Sequence, residues 1–570
     1  MAPFGYTEII LSIIFLSFLY SFLTTKRGQP INWPLVGMTP TISLNFRHIH
    51  EVLTEILERN GGTIFFKGAW FTNSDKLFTT HVENIHHILT KNFSNYEKGE
   101  EAKEIFDVHG DLLFNADHEK WKRDRKMIQA FFNDRRCIQA TMKLVRDSLE
   151  KGVIPVLNHV SEHGHVVDLQ DLFIRVMLDS TCTVITGYNP GSLQISFPEM
   201  PMATAMDVTN DTVLYRHFVP AIVWKLQRWL GVGIEKKMSQ AKQTLDDIAR
   251  KYIKMKGEDI QNNVEGFDAL KFYMTGDEAQ GYKPQPYNVL RDVVVVLTTA
   301  GRDTTGACLS WLFWLLSKHP SVESKIREEL KAILPMMNMK FYMTGDEAQG
   351  YKPQPYNVLR DVVVVLTTAG RDTTGACLSW LFWLLSKHPS VESKIREELK
   401  AILPMDEHEK FRLFNAEELN KLPYLHAAFC ETLRLYPPAP YQQRVAVHPD
   451  ILPSGHRVNN KIKIVFSWYA LGRLKSIWGN DCLEFKPERW ISLRGEIIHD
   501  LSKKYLMAFS TGPRVCPGKN DSFITMKTVA AAVIHNYNVK IVKGHVINYA
   551  TSIALRMDHG LKVNVTRRWN

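Results

Sequence analysis

The sequence predicts a mainly α-helical protein with a smaller β part, and three observations carry that expectation. From Cys137 to Met255 the apolar residues recur at helical spacing, broken by turn-forming residues at Tyr188-Asn-Pro-Gly and Phe197-Pro-Glu-Met-Pro. A longer stretch, Asp-Val-Val-Val-Val-Leu-Thr-Thr-Ala-Gly-Arg-Asp-Thr-Thr followed by Ser-Trp-Leu-Phe-Trp-Leu-Leu, is apolar almost all round, as a buried helix must be. The β-rich runs are short: Thr63-Ile-Phe-Phe-Lys, Lys76-Leu-Phe-Thr-Thr, the surroundings of Val458, Ile462 to Val465, and Ile541 to Val565.

The chain of 570 residues is long enough to bury a large core. Its seven cysteines are scattered without a CxxC pair, which argues against a disulfide framework or a zinc site and suits a reducing compartment. The net charge of +10 favours an acidic partner or surface. No aromatic-basic module points to nucleic acid, so an acidic redox protein or anionic lipid fits better.

Taken in order, residues 1–27 are expected to form a transmembrane signal anchor. Ile9 to Leu23 is apolar apart from serines and a tyrosine, and Lys26-Arg27 follow it. A basic pair after the apolar stretch, with no small-x-small cleavage site before it, favours an anchor over a cleaved signal peptide and leaves the body cytosolic. Residues 28–40, with Pro30, Pro34 and Pro40 around Trp33, read as a stiff hinge. Residues 41–570 show no linker and read as one domain. Within it a helix is expected at Ile49 to Arg59, then the first two β runs. His118 to Lys126 then places Trp121 and Arg125 four apart on one helix face. By itself that is a solvated basic helix with a core tryptophan.

The middle of the chain repeats itself. Lys271 to Met336 recurs without a change as Lys340 to Met405, joined by Met337-Asn-Met339, a period of 69 residues. Natural repeats drift between units, so two perfect copies indicate a recent tandem duplication or an error in joining coding segments. One period fewer leaves 501 residues. Only one copy can fill the native position, and the second is slightly favoured because it runs without interruption to Glu431. The long apolar helix lies inside each copy, and its Ala-Gly-Arg-Asp-Thr-Thr step is costly to bury without partners. Threonine hydroxyls bonding back to carbonyls at a helix bend would account for it structurally.

Downstream, Glu431 and Arg434 stand at i, i+3 before Pro437-Pro438, and Phe485-Lys-Pro-Glu-Arg-Trp follows with Arg489. Exposed, such a pair is worth little. Arg444 lies just past the proline turn. Near the C-terminus, Phe509-Ser-Thr-Gly-Pro-Arg-Val-Cys-Pro-Gly holds Cys516 between Gly512 and Gly518, ahead of a helix expected to begin near Asn520. That helix N-terminus and the charge of Arg514 are expected to favour thiolate over thiol. A buried free cysteine is the plain alternative. A thiolate so placed is also one of the few ways proteins hold haem iron.

Phe509, Gly512, Arg514, Cys516 and Gly518 fall at the spacing of the haem-binding loop of cytochromes P450, and the chain resembles that family from Trp121 to Gly518. Pro517 is a departure, since an aliphatic residue is usual there. The resemblance implies the P450 fold for residues 41–570, with haem b bound through Cys516 as the axial iron ligand. It implies that Trp121, Arg125, Arg444 and Arg514 serve the haem, the first three as propionate donors. Glu431, Arg434 and Arg489 become a buried structural lock. Thr304 or Thr373 and Asp303 or Asp372, equivalent in the two copies, become the proton-delivering pair of an oxygen groove, with Gly301 or Gly370 leaving room beside it. Lys120, Lys122, Arg123 and Lys126 become a docking patch.

Dinucleotide and flavin fingerprints are missing, so electrons are expected from NADPH–cytochrome P450 reductase at the endoplasmic reticulum membrane. Asn32-Trp-Pro-Leu-Val-Gly, Ile105-Phe-Asp-Val-His-Gly-Asp, Tyr215-Arg-His-Phe and Leu452-Pro-Ser-Gly-His resemble plant enzymes that hydroxylate long-chain alkanes and fatty acids. Related plant enzymes carry out oxidative phenol coupling of alkaloid precursors. The motifs also admit a haem-thiolate isomerase, or a product inactivated by the duplication. The pocket is expected to be mostly apolar, lined from 104–114, 201–222, 439–441 and 551–555.

Overall fold

The computed structural model describes residues 29–70, 72, 74–110, 115–275, ten positions between 377 and 397, 411–414, 418–419, 421–492, 494, 496–498, 505 and 507–569, with Ser12, Leu16 and Leu23. Those last three are helical and exposed, and the rest of the expected anchor lies outside the described residues. Among the described residues no helix is long and apolar enough to cross a membrane.

Helix α1 (Ile49–Arg59) buries Ile49, Leu53 and Leu57, one per turn, and leads into β1 (Thr63–Phe66) and β2 (Lys76–Thr79). After β3 (Tyr96–Glu97) and α2 (Glu100–Ile105) come the long helices: α3 (His118–Asn133), α4 (Arg135–Ser148), α5 (Ile154–His163), β4 (Val166–Asp168), α6 (Leu169–Thr186), α7 (Pro201–Phe218), α8 (Ala221–Leu230) and α9 (Gly233–Gln261). Helix α9 shows why the pattern reads as a surface helix. Met238, Ala241, Leu245, Ala249 and Ile253 are buried at three- to four-residue spacing, and its lysines lie mostly on the other face. Asp168 caps α6 by accepting the Gln170 and Asp171 N–H groups, and its carboxylate also accepts the Leu561 N–H at 2.9 Å.

Helix α10 (Ala269–Thr275) runs into the first repeat copy, with Phe272 and Tyr273 buried. Beyond the repeats lie α11 (Pro423–Leu435), β5 (Tyr441–Ala446), the two-residue strands β6 (Asp450–Ile451) and β7 (Arg457–Val458), β8 (Lys463–Ser467), α12 (Lys519–Asn536), β9 (Tyr537–Ile541) and β10 (Lys562–Arg567). The main sheet has the order β1-β2-β8-β5-β3. Its β2–β8 pair is parallel and aligns Lys76 with Lys463 and Phe78 with Val465. A second sheet, β4-β10-β9, joins the chain terminus to the start of α6.

The largest core gathers α4, α5, α6, α11 and α12, and it takes Cys377, Trp380, Leu381, Leu384, Val391 and Ile395 from the second copy. Trp380 is 2% exposed, stacks on Tyr436 with 9° between the rings, and donates its indole N–H to the Leu555 carbonyl at 3.4 Å. Cys377 Sγ lies 3.6 Å from the Phe429 carbonyl, and Lys394 pairs with Glu488 at 2.6 Å. The sequence reading has one intact copy in place. The described part of the first copy is Lys271–Thr275, in α10, and that of the second is ten positions from Cys377 on.

Candidate active site

Cys516 is held by a loop whose geometry depends on its glycines. Gly512 has φ +70°, and a Cβ there would stand 1.9 Å from the Leu89 carbonyl oxygen, so only glycine fits. The Cys516 N–H donates to the Phe509 carbonyl at 2.9 Å, which closes the loop back on itself. Phe509 is buried against Phe523 of α12. Gly518 precedes α12 with open space where its side chain would be, and its N–H donates to the sulfur of Cys516. Pro517 lacks an N–H, so this donation comes from Gly518.

The expectation that Arg514 would supply the charge beside the sulfur is corrected here. Burial outweighs the favourable groups and pushes the Cys516 thiol up to about 11, against the pull of the Gly518 N–H and of Arg125. Arg125, not Arg514, is the guanidinium that acts on the sulfur. Arg514 spends its charge on Asp117, at 2.8 Å, and on the Ala116 carbonyl at 2.9 Å, with its guanidinium over the Trp121 ring. A metal cation bound to the sulfur would displace its proton to solvent, so the same burial does not oppose ligation.

Around this loop the fold collects positive charge. Trp121 and Arg125 come from α3, Arg444 from β5, Arg514 from the cysteine loop, and all four line one cavity with Cys516. Arg125 Nε, Arg444 Nε and Nη2 and Arg514 Nε are buried without a hydrogen-bond partner. Burial pushes Arg444 down to about 9, with Arg514 adding to the repulsion, and pushes Arg514 down to about 10. Unpaired buried guanidinium edges converging on one space call for a dianionic group. Haem, with two propionates and an iron for the sulfur, fits this donor set. Lys98 joins the cradle and was missed in the sequence. It lines the cavity, its N–H donates to Asp117 at 3.1 Å, and burial, Arg444 and Arg514 hold its ammonium low. The only signal was a lysine in a Lys-Gly turn between two elements.

Glu431, Arg434 and Arg489 also meet. Glu431 is fully buried and takes two bonds from Arg434, each 2.7 Å, one from Arg489 at 3.3 Å, the Trp490 indole N–H at 2.9 Å and the Lys486 N–H at 3.0 Å. Arg434 also donates to the Cys482 carbonyl at 2.6 Å and to that of Gly472, while Arg489 reaches the Asp481 carbonyl at 2.7 Å. Every charge in the set is paired, which is what makes such burial tolerable. Thr304, Thr373, Asp303, Asp372, Gly301 and Gly370 lie outside the described residues.

The cavity beside Cys516 has a volume of about 300 Å³. Its apolar lining includes Phe78, Phe106, Leu214, Phe218 and Ile553. The expectation of a mostly apolar pocket misses one end, where Lys76 and His217 also line it. Lys76 sat in a β run, where alternation alone does not say which face meets a cavity. On the opposite side of the loop, a pocket of about 80 Å³ also touches Cys516, Pro517 and Gly518.

Comparison with known proteins agrees with this arrangement. The family model for cytochrome P450 matches residues 27–343 and again 333–557, the two matches each running through one copy of the repeat. The chain belongs to the cytochrome P450 family. It is a P450 monooxygenase whose cofactor is haem, and like other P450s it acts on a small molecule with electrons from a redox partner. An alkane hydroxylase from Arabidopsis thaliana is 38% identical over the full length of both chains. A noroxomaritidine synthase from Narcissus aff. pseudonarcissus is 35% identical, covering 99% of this chain and 97% of its own. Cytochrome P450 86B1 of Arabidopsis thaliana is 31% identical over 95% of this P450 and 86% of its own length.

Proposed function

We propose that this P450 inserts one oxygen atom from O2 into an unactivated C–H bond of a long-chain aliphatic molecule, an alkane or a fatty acid. The observation that carries the reading is the composition of the cavity: it joins Cys516 to an apolar wall, and no aspartate or glutamate is among its described lining residues. An alkaloid precursor brings an amine, which carries a proton at neutral pH and needs a counter-charge. With the arginines taken up by the propionates, it would still meet Lys76 and no acid among the described lining residues. The likeness to an alkane hydroxylase supports the same choice.

In this mechanism Cys516 supplies the thiolate to the iron, and Arg125, Arg444 and Arg514 neutralise the propionates, with Trp121 beside them. Haem, when bound, supplies the activation of oxygen. Thr373 and Asp372, or their copies Thr304 and Asp303, would hold and pass the protons that splitting O2 demands. Phe78, Phe106, Leu214 and Phe218 would exclude water and orient the chain. Glu431, Arg434 and Arg489 hold α11 to the segment before the cysteine loop.

Electrons would come from NADPH through cytochrome P450 reductase, docking on the exposed Lys122, Arg123 and Lys126 of α3. The body would lie against the cytosolic face of the endoplasmic reticulum, anchored by residues 1–27. Ile222, Leu226, Trp229 and Leu230 support a membrane contact, since they recur at helical spacing on α8 and are each at least 52% exposed.

The test is the reduced-plus-CO difference spectrum of the full chain in microsomes, followed by NADPH-driven turnover of alkanes and fatty acids. The red-shifted Soret band of a thiolate complex is expected, and it should vanish in Cys516→Ala. Retention of that band in Cys516→Ala would refute the ligand. A chain lacking residues 271–339 serves as comparator. Because the copies are identical, it is the same protein whichever copy is considered deleted.

A further inference from the structure

We propose that the cavity ends in a carboxylate-binding subsite built on Lys76, so that the aliphatic substrate is an acid held by its head group. This rests on the reading of the cavity as an aliphatic site and names which aliphatic class fits it.

Lys76 opens β2, and strand alternation puts it on the same face as Phe78, which lines the cavity with it. It is only 7% exposed. Lysine is almost never buried to that degree without a paired anion. Its Nζ donates to the His217 carbonyl at 2.5 Å and lies 5.2 Å from the centre of the Phe218 ring. An ammonium has three N–H donors, and a carbonyl together with a ring face leaves room for a stronger acceptor. Glu101, the acid that acts on Lys76, is already bound to Lys463 at 2.6 Å.

The register makes the charge imbalance explicit. Lys76 and Lys463 are paired across β2 and β8, so two ammonium groups share one carboxylate. Burial and Lys463 push Lys76 down to about 7, against the pull of Glu101. His217, buried and surrounded by Lys76, Lys98 and Lys463, is pushed down to about 3 and stays neutral. This end of the cavity thus has surplus positive charge within apolar walls. A carboxylate would supply the missing acceptors and the counter-charge together. An alkane supplies neither. The haem propionates are the competing anion, but the arginines of the cradle act on Lys98 and not on Lys76.

The test uses the haem-loaded full chain, titrated with a saturated long-chain fatty acid, the matching primary alcohol and the matching alkane, and read as the ligand-induced spin-state shift. In the wild-type protein near neutral pH the acid should bind at least about tenfold more tightly than the alcohol, the usual weight of one charged hydrogen bond. In Lys76→Met that ratio should fall by about tenfold or more, and Lys76→Arg should largely restore it. Equal loss of acid and alcohol affinity in Lys76→Met, or an unchanged ratio, overturns the subsite. So does a fall in haem content with no change in the ratio, which would make Lys76 a propionate partner. Should Lys76→Met not fold, the wild-type ratio decides alone: acid and alcohol binding equally would refute the proposal. An intact thiolate spectrum with no shift from any of the three ligands in the wild type overturns the aliphatic reading itself.

Discussion

Two tryptophans in this P450 have identical neighbours in sequence for more than twenty residues on each side, and the core has one position for them. Trp380 is 2% exposed, stacked on Tyr436 and bonded to the Leu555 carbonyl; Trp311 is its counterpart in the first copy. One core position holds one indole, so Trp380→Ala should create a cavity and Trp311→Ala should not. Truncating a buried tryptophan costs about 3–5 kcal/mol, and here the stacking and the indole bond place the cost toward the upper end. A substitution that leaves no cavity and breaks no buried bond changes stability by about 0.5 kcal/mol or less. Because the local sequences match, helix propensity largely cancels in the comparison. The assay is urea unfolding followed by circular dichroism, with Trp380→Phe as a milder variant if the alanine form does not accumulate. Trp380→Ala should unfold at markedly lower urea than the parent and Trp311→Ala at nearly the same urea. Equal shifts, or a larger one for Trp311→Ala, would refute the assignment of the second copy to the core.

The same asymmetry should reach the chemistry. Thr373 lies four residues before the buried Cys377, so Thr373→Ala should divert NADPH consumption into hydrogen peroxide while Thr304→Ala leaves coupling near that of the parent; the check is peroxide released per NADPH oxidised. Glu431→Gln removes the anion on which Arg434 and Arg489 converge and strands the buried Arg434, while Arg489 keeps Asp481 at 2.8 Å; a loss of about 3–5 kcal/mol should appear as poor recovery of haem-loaded protein. Binding of a fatty acid should depend on pH through Lys76, which faces Lys463, Glu101 and the neutral His217. Between about 5, above which the free fatty acid is ionised, and about 7 the ammonium is charged in the empty cavity, so affinity is flat; above that a proton must be taken up on binding, and affinity falls by up to about tenfold per pH unit. The alcohol should show no such fall, and Lys76→Arg, charged throughout, should flatten the profile of the acid.

Much of this P450 is legible in its sequence because its signals are local. The helix Ile49–Arg59 and the strands opening at Thr63 and Lys76 follow from spacing alone, and a cysteine set between two glycines ahead of a helix marks its own importance. Glu431 and Arg434, one helical turn apart, are visible as a pair, and Arg489 joins them only through the resemblance. What the sequence could not decide were balances between groups far apart in the chain. Arg514 is drawn away from the sulfur by Asp117, nearly four hundred residues earlier, and Arg125 stands there in its place. The charged end of the cavity exists because β2 and β8 align two lysines from distant segments beside one glutamate. The choice between identical repeat copies is the limiting case. Their residues are the same, so no local rule separates them, and the packing of Trp380 against Tyr436 and the Leu555 carbonyl is decided by the tertiary structure. Local preferences are written residue by residue, whereas burial and pairing are settled by whatever the completed fold brings together.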